Sequence, residues 1–284
     1  GSVHALDMDG DGDMDVLSTS FHDDKVAWYE QEGSPAPAEF QPQTKEELQI
    51  AVNMWVDDNA SALTAYGEIN TWDVSLITSL EFLFSNQSTF NDDIGNWDVS
   101  SVVNMAGTFY GASSFNKDLS NWNVSNVTSM ENMFNGASSF NQEISNWNTI
   151  NVSNMGAMFM YASEFDQNIN GWNVSNVHTM RRMFQSCTSF NQDISSWDVS
   201  NVSTMKLMFE NAISFNQDIS IWNTSNVTTM SNMFKDADSF NQNISTWDVS
   251  NVNNMGAMFI FNDSFNQDLS AWDVSSVVNF NAMF

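Results

Sequence analysis

Tryptophan recurs at a fixed interval of 25 residues, at Trp72, Trp97, Trp122, Trp147, Trp172, Trp197, Trp222, Trp247 and Trp272. No insertion or deletion disturbs the phase. A period of this length marks a chain built by stacking one structural unit on the last. Attention therefore moves from a single deep pocket to a long repetitive surface.

One unit, read from Ile94, places apolar residues at Ile94, Trp97, Val99, Val102, Met105, Phe109, Ala112 and Phe115. The spacing from Ile94 to Val99 is L-x-x-L-x-L, the strand segment of a leucine-rich repeat. Trp97 and Val99 alternate about Asp98, which puts Asp98 on the opposite side from them. In the next unit Val127, Met130, Phe134 and Ala137 fall at i, i+3, i+7 and i+10, which predicts a short helix packing inward. Its first turn can equally be 3₁₀. The expected fold is α/β: a leucine-rich-repeat-like, right-handed solenoid of about nine 25-residue coils over residues 69–284. With paired strands about 4.8 Å apart, the nine tryptophans span roughly 40 Å. Phenylalanines spaced by 25 form two further columns, from Phe84 to Phe284 and from Phe90 to Phe265. Methionines such as Met105, Met130, Met155, Met180 and Met205 fill the gap between them, where a flexible thioether adapts to irregular space.

Residues 44–68 read as a helical cap covering the first coil. Thr44 and Glu47 have capping-box spacing, and Leu48, Ala51, Val52 and Trp55 share one helical face. All three prolines (Pro35, Pro37 and Pro42) lie in a linker over 33–43, and residues 1–32 form a small acidic β segment. The sequence begins Gly1-Ser2 and stops at Phe284 partway through a repeat, which reads as a fragment of something longer.

Charge narrows the function classes. Seven Lys+Arg against 35 Asp+Glu give a net charge of −28. Such a surface repels nucleic acid and anionic membranes. It suits divalent cations, a salty medium or simple solubility. A single cysteine, Cys187, leaves no internal disulfide framework. No run of 18 apolar residues predicts a membrane-spanning helix.

Two sets of residues are candidates for binding. Asp7, Asp9, Asp11, Asp13 and Asp15 follow D-x-D-G-D-G-D-x-D, with Gly10 and Gly12 allowing a sharp turn. Several hard oxygens converging from a short loop suit Ca²⁺, and Mg²⁺ less well because it keeps more water. Asp13 would contribute by side chain or carbonyl. The second set is a column beside the tryptophans: Asp73, Asp98, Asn123, Asn148, Asn173, Asp198, Asn223, Asp248 and Asp273. It reads either as a polar strip for a protein, a glycan or bridging Ca²⁺, or as helix N-caps and Asx-turns. Asn91, Asn116, Asn141, Asn191, Asn216, Asn241 and Asn266 are expected to form a structural ladder that Asp166 interrupts. Catalysis has little to stand on: His4, His22 and His178 are far apart in sequence, and there is no Gly-rich phosphate loop. The expectation is that the chain is not an enzyme.

Segments such as Trp122-Asn123-Val124-Ser125-Asn126-Val127-Thr128-Ser129-Met130, followed by Met133-Phe134, Ala137 and Ser139-Phe140-Asn141-Gln142, resemble the repeat of the BspA-like leucine-rich repeat surface proteins. The resemblance covers about residues 45–284 and implies secretion or surface display, with an interaction role toward a protein or glycan. Residues 1–32, through the Asp7–Asp15 run and Trp28-Tyr29, resemble a single FG-GAP/VCBS-type repeat. The expected function is extracellular recognition or adhesion through an acidic repetitive face, with Ca²⁺ held by the Asp-rich loop. The alternative is a structural spacer or a self-assembling surface-layer or filament component.

Overall fold

The computed structural model describes residues 40–284 throughout and, ahead of them, the backbone of three strands. The chain divides into two compact units, Gly1–Phe40 and Gln41–Phe284. In the first, β1 (Val3–Leu6), β2 (Asp15–Thr19) and β3 (Val26–Tyr29) form an antiparallel sheet in the order β1-β2-β3. Leu6 pairs with Asp15, and Thr19 with Val26.

The second unit opens with α1 (Lys45–Asp57) and α2 (Asn59–Tyr66). Thr44 Oγ1 accepts the Glu47 N–H at 3.2 Å, and the Glu47 carboxylate accepts the Gln43 N–H at 2.7 Å. Two N-terminal donors are thereby satisfied in the manner of a capping box. Helix α1 buries Leu48, Ala51, Val52 and Trp55. Trp55 meets Trp72 edge-on, with ring centroids 5.8 Å apart.

From Ile69 onward the α/β expectation is overturned. After one 3₁₀ turn, Ile69–Thr71, residues 72–284 contain no helix and no named strand. Each coil is a succession of turns, joined to the next by a single parallel bridge, from Ser79↔Asn104 to Asn254↔Asn279. The expected strand at Ile94–Val99 folds back on itself, since the Trp97 N–H donates to the Ile94 carbonyl at 3.2 Å. The expected helix at Val127–Ala137 is replaced by an alternation. Met130, Asn132, Phe134 and Gly136 donate their N–H groups to carbonyls of the next coil at 2.7–3.0 Å. Met133, Asn135 and Ala137 donate three residues back within their own coil at 3.0–3.2 Å. An α-helix needs its N–H groups to bond four residues back; here every second one goes to the neighbouring coil. Apolar spacing of i, i+3, i+7 serves both arrangements, which is why it misleads.

The alternation demands left-handed residues at two fixed places per coil. One column is Phe82, Gly107, Asn132, Ala157, Arg182, Leu207, Asn232, Ala257 and Ala282, and the other runs from Asn86 through Tyr161 and Ser186 to Phe261. Their φ angles lie between 49° and 75°. This conformation costs a non-glycine residue roughly 1–2 kcal/mol, yet 14 such residues adopt it. Coil-on-coil packing outweighs the penalty.

That packing is a set of in-register columns. Phe84 and Phe109 stack at 5.5 Å and 3°, and Trp147 and Trp172 at 6.2 Å and 5°. Phe109 and Phe115 link the two phenyl columns at 4.0 Å. A second buried methionine column, from Met133 to Met258, lies beside the one from Met105 to Met255. Each buried Phe contributes about 1.5–3 kcal/mol of transfer free energy. Tryptophan recurs rather than phenylalanine because its ring carries a donor: Trp172 Nε1–H reaches the Ile144 carbonyl of the previous coil at 3.0 Å, and the same bond recurs from Trp97 to Trp272. Thr149 and Thr224 stand where most coils carry Val, and their buried hydroxyls donate to the Asn173 and Asp248 carbonyls at 2.9 and 2.8 Å.

Candidate functional site

Of the acidic run, Asp7, Asp9, Asp11 and Asp13 lie outside the described residues, and Asp15 opens β2 in register with Leu6. Among the described residues no group of three or more His, Cys, Asp or Glu side chains is placed to hold a metal ion.

The column beside the tryptophans is described in full. In all nine positions, Asp73, Asp98, Asn123, Asn148, Asn173, Asp198, Asn223, Asp248 and Asp273, Oδ1 accepts the backbone N–H two residues on, at 2.9–3.3 Å. These are Asx-turns; no helix follows for them to cap. Asp and Asn alternate freely because both offer the same acceptor oxygen. Apart from half-buried Asp73, the column is exposed. Hydrogen bonds from the hydroxyl, then the backbone N–H, of Ser75, Ser200, Ser250 and Ser275 hold the carboxyls of Asp73, Asp198, Asp248 and Asp273 below their ordinary range.

A second column of this kind escaped the sequence reading. Asp93, Asp118, Asn168, Asp193, Asp218, Asn243 and Asp268 each accept the N–H two residues on, at 2.8–3.0 Å. The recurring Asp/Asn-x-Ser spacing was the available signal. The asparagine ladder is also present, each Oδ1 accepting the N–H 25 residues on, as from Asn116 to Asn91 at 2.9 Å. Asp166 does not interrupt it. Its carboxylate accepts the Asn191 N–H at 2.8 Å, because the ladder uses only the oxygen. Cys187 is buried, with Sγ 3.0 Å from the Ala162 carbonyl, and burial pushes its thiol pKa up. It is a core residue and not a nucleophile.

The outside of the paired turns is different. Here the side chain changes at every coil: Glu81, Ala106, Glu131, Gly156, Arg181, Lys206, Ser231 and Gly256 occupy one position. A depression of about 480 Å³ opens on this face. Gly156, Ala157 and Met160 line its middle, Tyr110, Glu131, Asn132 and Asn135 one side, and Thr179, Arg181 and Arg182 the other. Sequence reasoning passed over Arg181-Arg182, although it is the one adjacent pair of basic residues in the chain.

No helix among the described residues is long and apolar enough to cross a membrane. No curated protein and no solved structure matches the chain. A family match is found over residues 53–168, 142–239 and 214–284, and it begins after the segment with the FG-GAP/VCBS-type resemblance, which receives no support. Together these stretches follow the tandem 25-residue coils almost from the first helix to the end, so the chain belongs to the repeat family described as "Mycoplasma protein of unknown function, DUF285".

Proposed function

We propose that this chain is a non-enzymatic recognition or adhesion protein displayed outside the cell. The observation that carries the reading is the division of labour within each coil. Cross-coil hydrogen bonds and buried rings hold the backbone in one repeating form, while one position of the paired turns differs from coil to coil, from exposed Glu131 and Arg181 to half-buried Lys206 and buried Ser231. A rigid scaffold presenting varied side chains supports binding by many contacts, with avidity growing with length. The repeat's likeness to the BspA-like surface proteins favours secretion or surface display and a protein or glycan ligand. The exposed Asp/Asn column adds an acidic repetitive strip. Ca²⁺ belongs to this reading through Asp7, Asp9, Asp11, Asp13 and Asp15, on sequence grounds alone.

Immobilised glycans and extracellular proteins, probed with the full chain with and without Ca²⁺, test the reading. Saturable binding to one ligand class is the expected result. Ordered self-association with no ligand bound overturns it in favour of a spacer or self-assembling surface component. Calorimetry with Ca²⁺ tests the loop: binding should disappear in the double variant Asp9→Ala, Asp11→Ala, and its retention removes that site.

A further inference from the structure

We propose that the depression on the paired-turn face is a binding site for a carboxylate-bearing sugar, with Arg181 and Arg182 receiving the carboxylate. The inference goes beyond the acidic strip, because it places the ligand where the surface is locally basic. Four of the chain's seven basic residues, Arg181, Arg182, Lys206 and Lys235, fall within three consecutive coils of this face. Arg181 and Lys206 occupy the same position in adjacent coils, joined at the Thr179↔Thr204 bridge. Such like charges repel unless an anion lies between or before them.

A chain with 35 acidic side chains could neutralise every one of its cations. It does so for Lys235, which pairs with Glu210 at 3.0 Å and Asp236 at 3.5 Å. Among the described residues no carboxylate comes within ion-pair distance of Arg181, Arg182 or Lys206. Arg182 Nε is moreover buried without a hydrogen-bond partner, so no group of the chain draws on this guanidinium through Nε. Paired guanidinium groups match a carboxylate in geometry as well as charge.

The rest of the lining selects what carries the carboxylate. The volume of about 480 Å³ falls in the usual range of small-molecule sites, about 300–1,000 Å³. Opposite the arginines stands Glu131, whose carboxylate already accepts the Asn154 amide at 2.9 Å. An acceptor and amides on that wall suit hydroxyl groups and disfavour a second negative charge. Gly156 lies between the walls: a Cβ there would sit 3.2 Å from Asn154 Oδ1, 3.7 Å from the Arg181 carbonyl oxygen and 3.9 Å from Glu131 Cγ.

The test is titration of the full chain with glucuronic acid, using glucose and sodium sulfate as controls, followed by calorimetry or ligand-observed NMR. Saturable binding of glucuronic acid, at least tenfold stronger than either control, is expected. Arg181→Ala should weaken it at least tenfold. Arg182→Gly should do the same while leaving the unfolding temperature unchanged or higher, since glycine suits the left-handed backbone at φ 62°. Gly156→Leu, which fills the depression and leaves every charge in place, should abolish binding. Equal binding of glucose, equal binding of sulfate, or full affinity in Gly156→Leu overturns the proposal.

Discussion

The first coil and the inner coils carry the same columns and bury them against different neighbours. Phe84 in the first coil and Phe159 in an inner one are both fully buried. Phe159 lies between two rings of its column, Phe134 at 5.6 Å and Phe184 at 5.8 Å. Phe84 has one such neighbour, Phe109 at 5.5 Å, and on its other side the first coil meets α1 and α2. Trp55 and Tyr66 meet Trp72, and Gln49 Nε2–H donates to the Leu83 carbonyl at 2.9 Å. A coil therefore does not own its core; each ring is buried half by its own coil and half by whatever stacks on it. A helix pair can supply the missing half without resembling a coil, because apolar contact is not directional.

The sharpest way to break this comparison is to truncate the same column in an inner coil and in the first. Phe159→Ala and Phe84→Ala should each destabilise by roughly 3–5 kcal/mol, read from urea unfolding. A loss below about 1 kcal/mol for Phe84→Ala would mean that the helix pair does not stand in for a stacked coil. Next, Trp55→Ala should cost about 3 kcal/mol, and its effect should be local. It removes the ring over Trp72 and the indole donor to Asp92 at 2.9 Å. Amide exchange should quicken at Leu80–Phe90 and stay unchanged near Phe234–Phe240; uniform quickening would argue that the coils open as one.

Smaller effects sharpen the account of the backbone. Trp172→Phe keeps an aromatic ring in the column but loses the bond to the Ile144 carbonyl, and should cost about 1–2 kcal/mol. A neutral result would leave the choice of tryptophan unexplained. Ser186→Gly, at a φ of 57°, should stabilise by about 1 kcal/mol; a loss would show that the left-handed columns carry no strain. The smallest effect is on acid stability. Hydrogen bonds from the following serines lower the carboxyl pKa of Asp198, Asp248 and Asp273 in the folded chain. Their contribution is complete above the ordinary aspartate value of about 3.9 and is lost as pH falls through the lowered values. These groups are exposed, so each contribution is small. Replacing all three by Asn, as other coils already do, should flatten the fall in unfolding temperature below about pH 4.

How much was legible follows from which interactions are local. The period, the buried Trp and Phe columns and the capping pair at Thr44 and Glu47 could be read directly. So could the asparagine ladder, though not that an aspartate serves in it equally well. The Asp73–Asp273 column left two readings open, and the structure shows an Asx-turn at every position while leaving the column exposed. The candidate pair Arg181-Arg182 was visible as residues but not as a site. Its meaning depends on Gly156 one coil away and on carboxylates that fail to arrive.

The sequence by itself determined that coils 25 residues apart would stack in register, because identical apolar side chains at a constant interval can all be buried only that way. The tertiary structure alone decided what each coil is made of. Every second N–H group from Met130 to Gly136 finds its acceptor 24 residues away in the next coil, and no local pattern records such a partner. Turns with left-handed residues therefore took the place of a strand and a helix. The same stacking brought two arginines, a glycine and a glutamate from three successive coils around one opening.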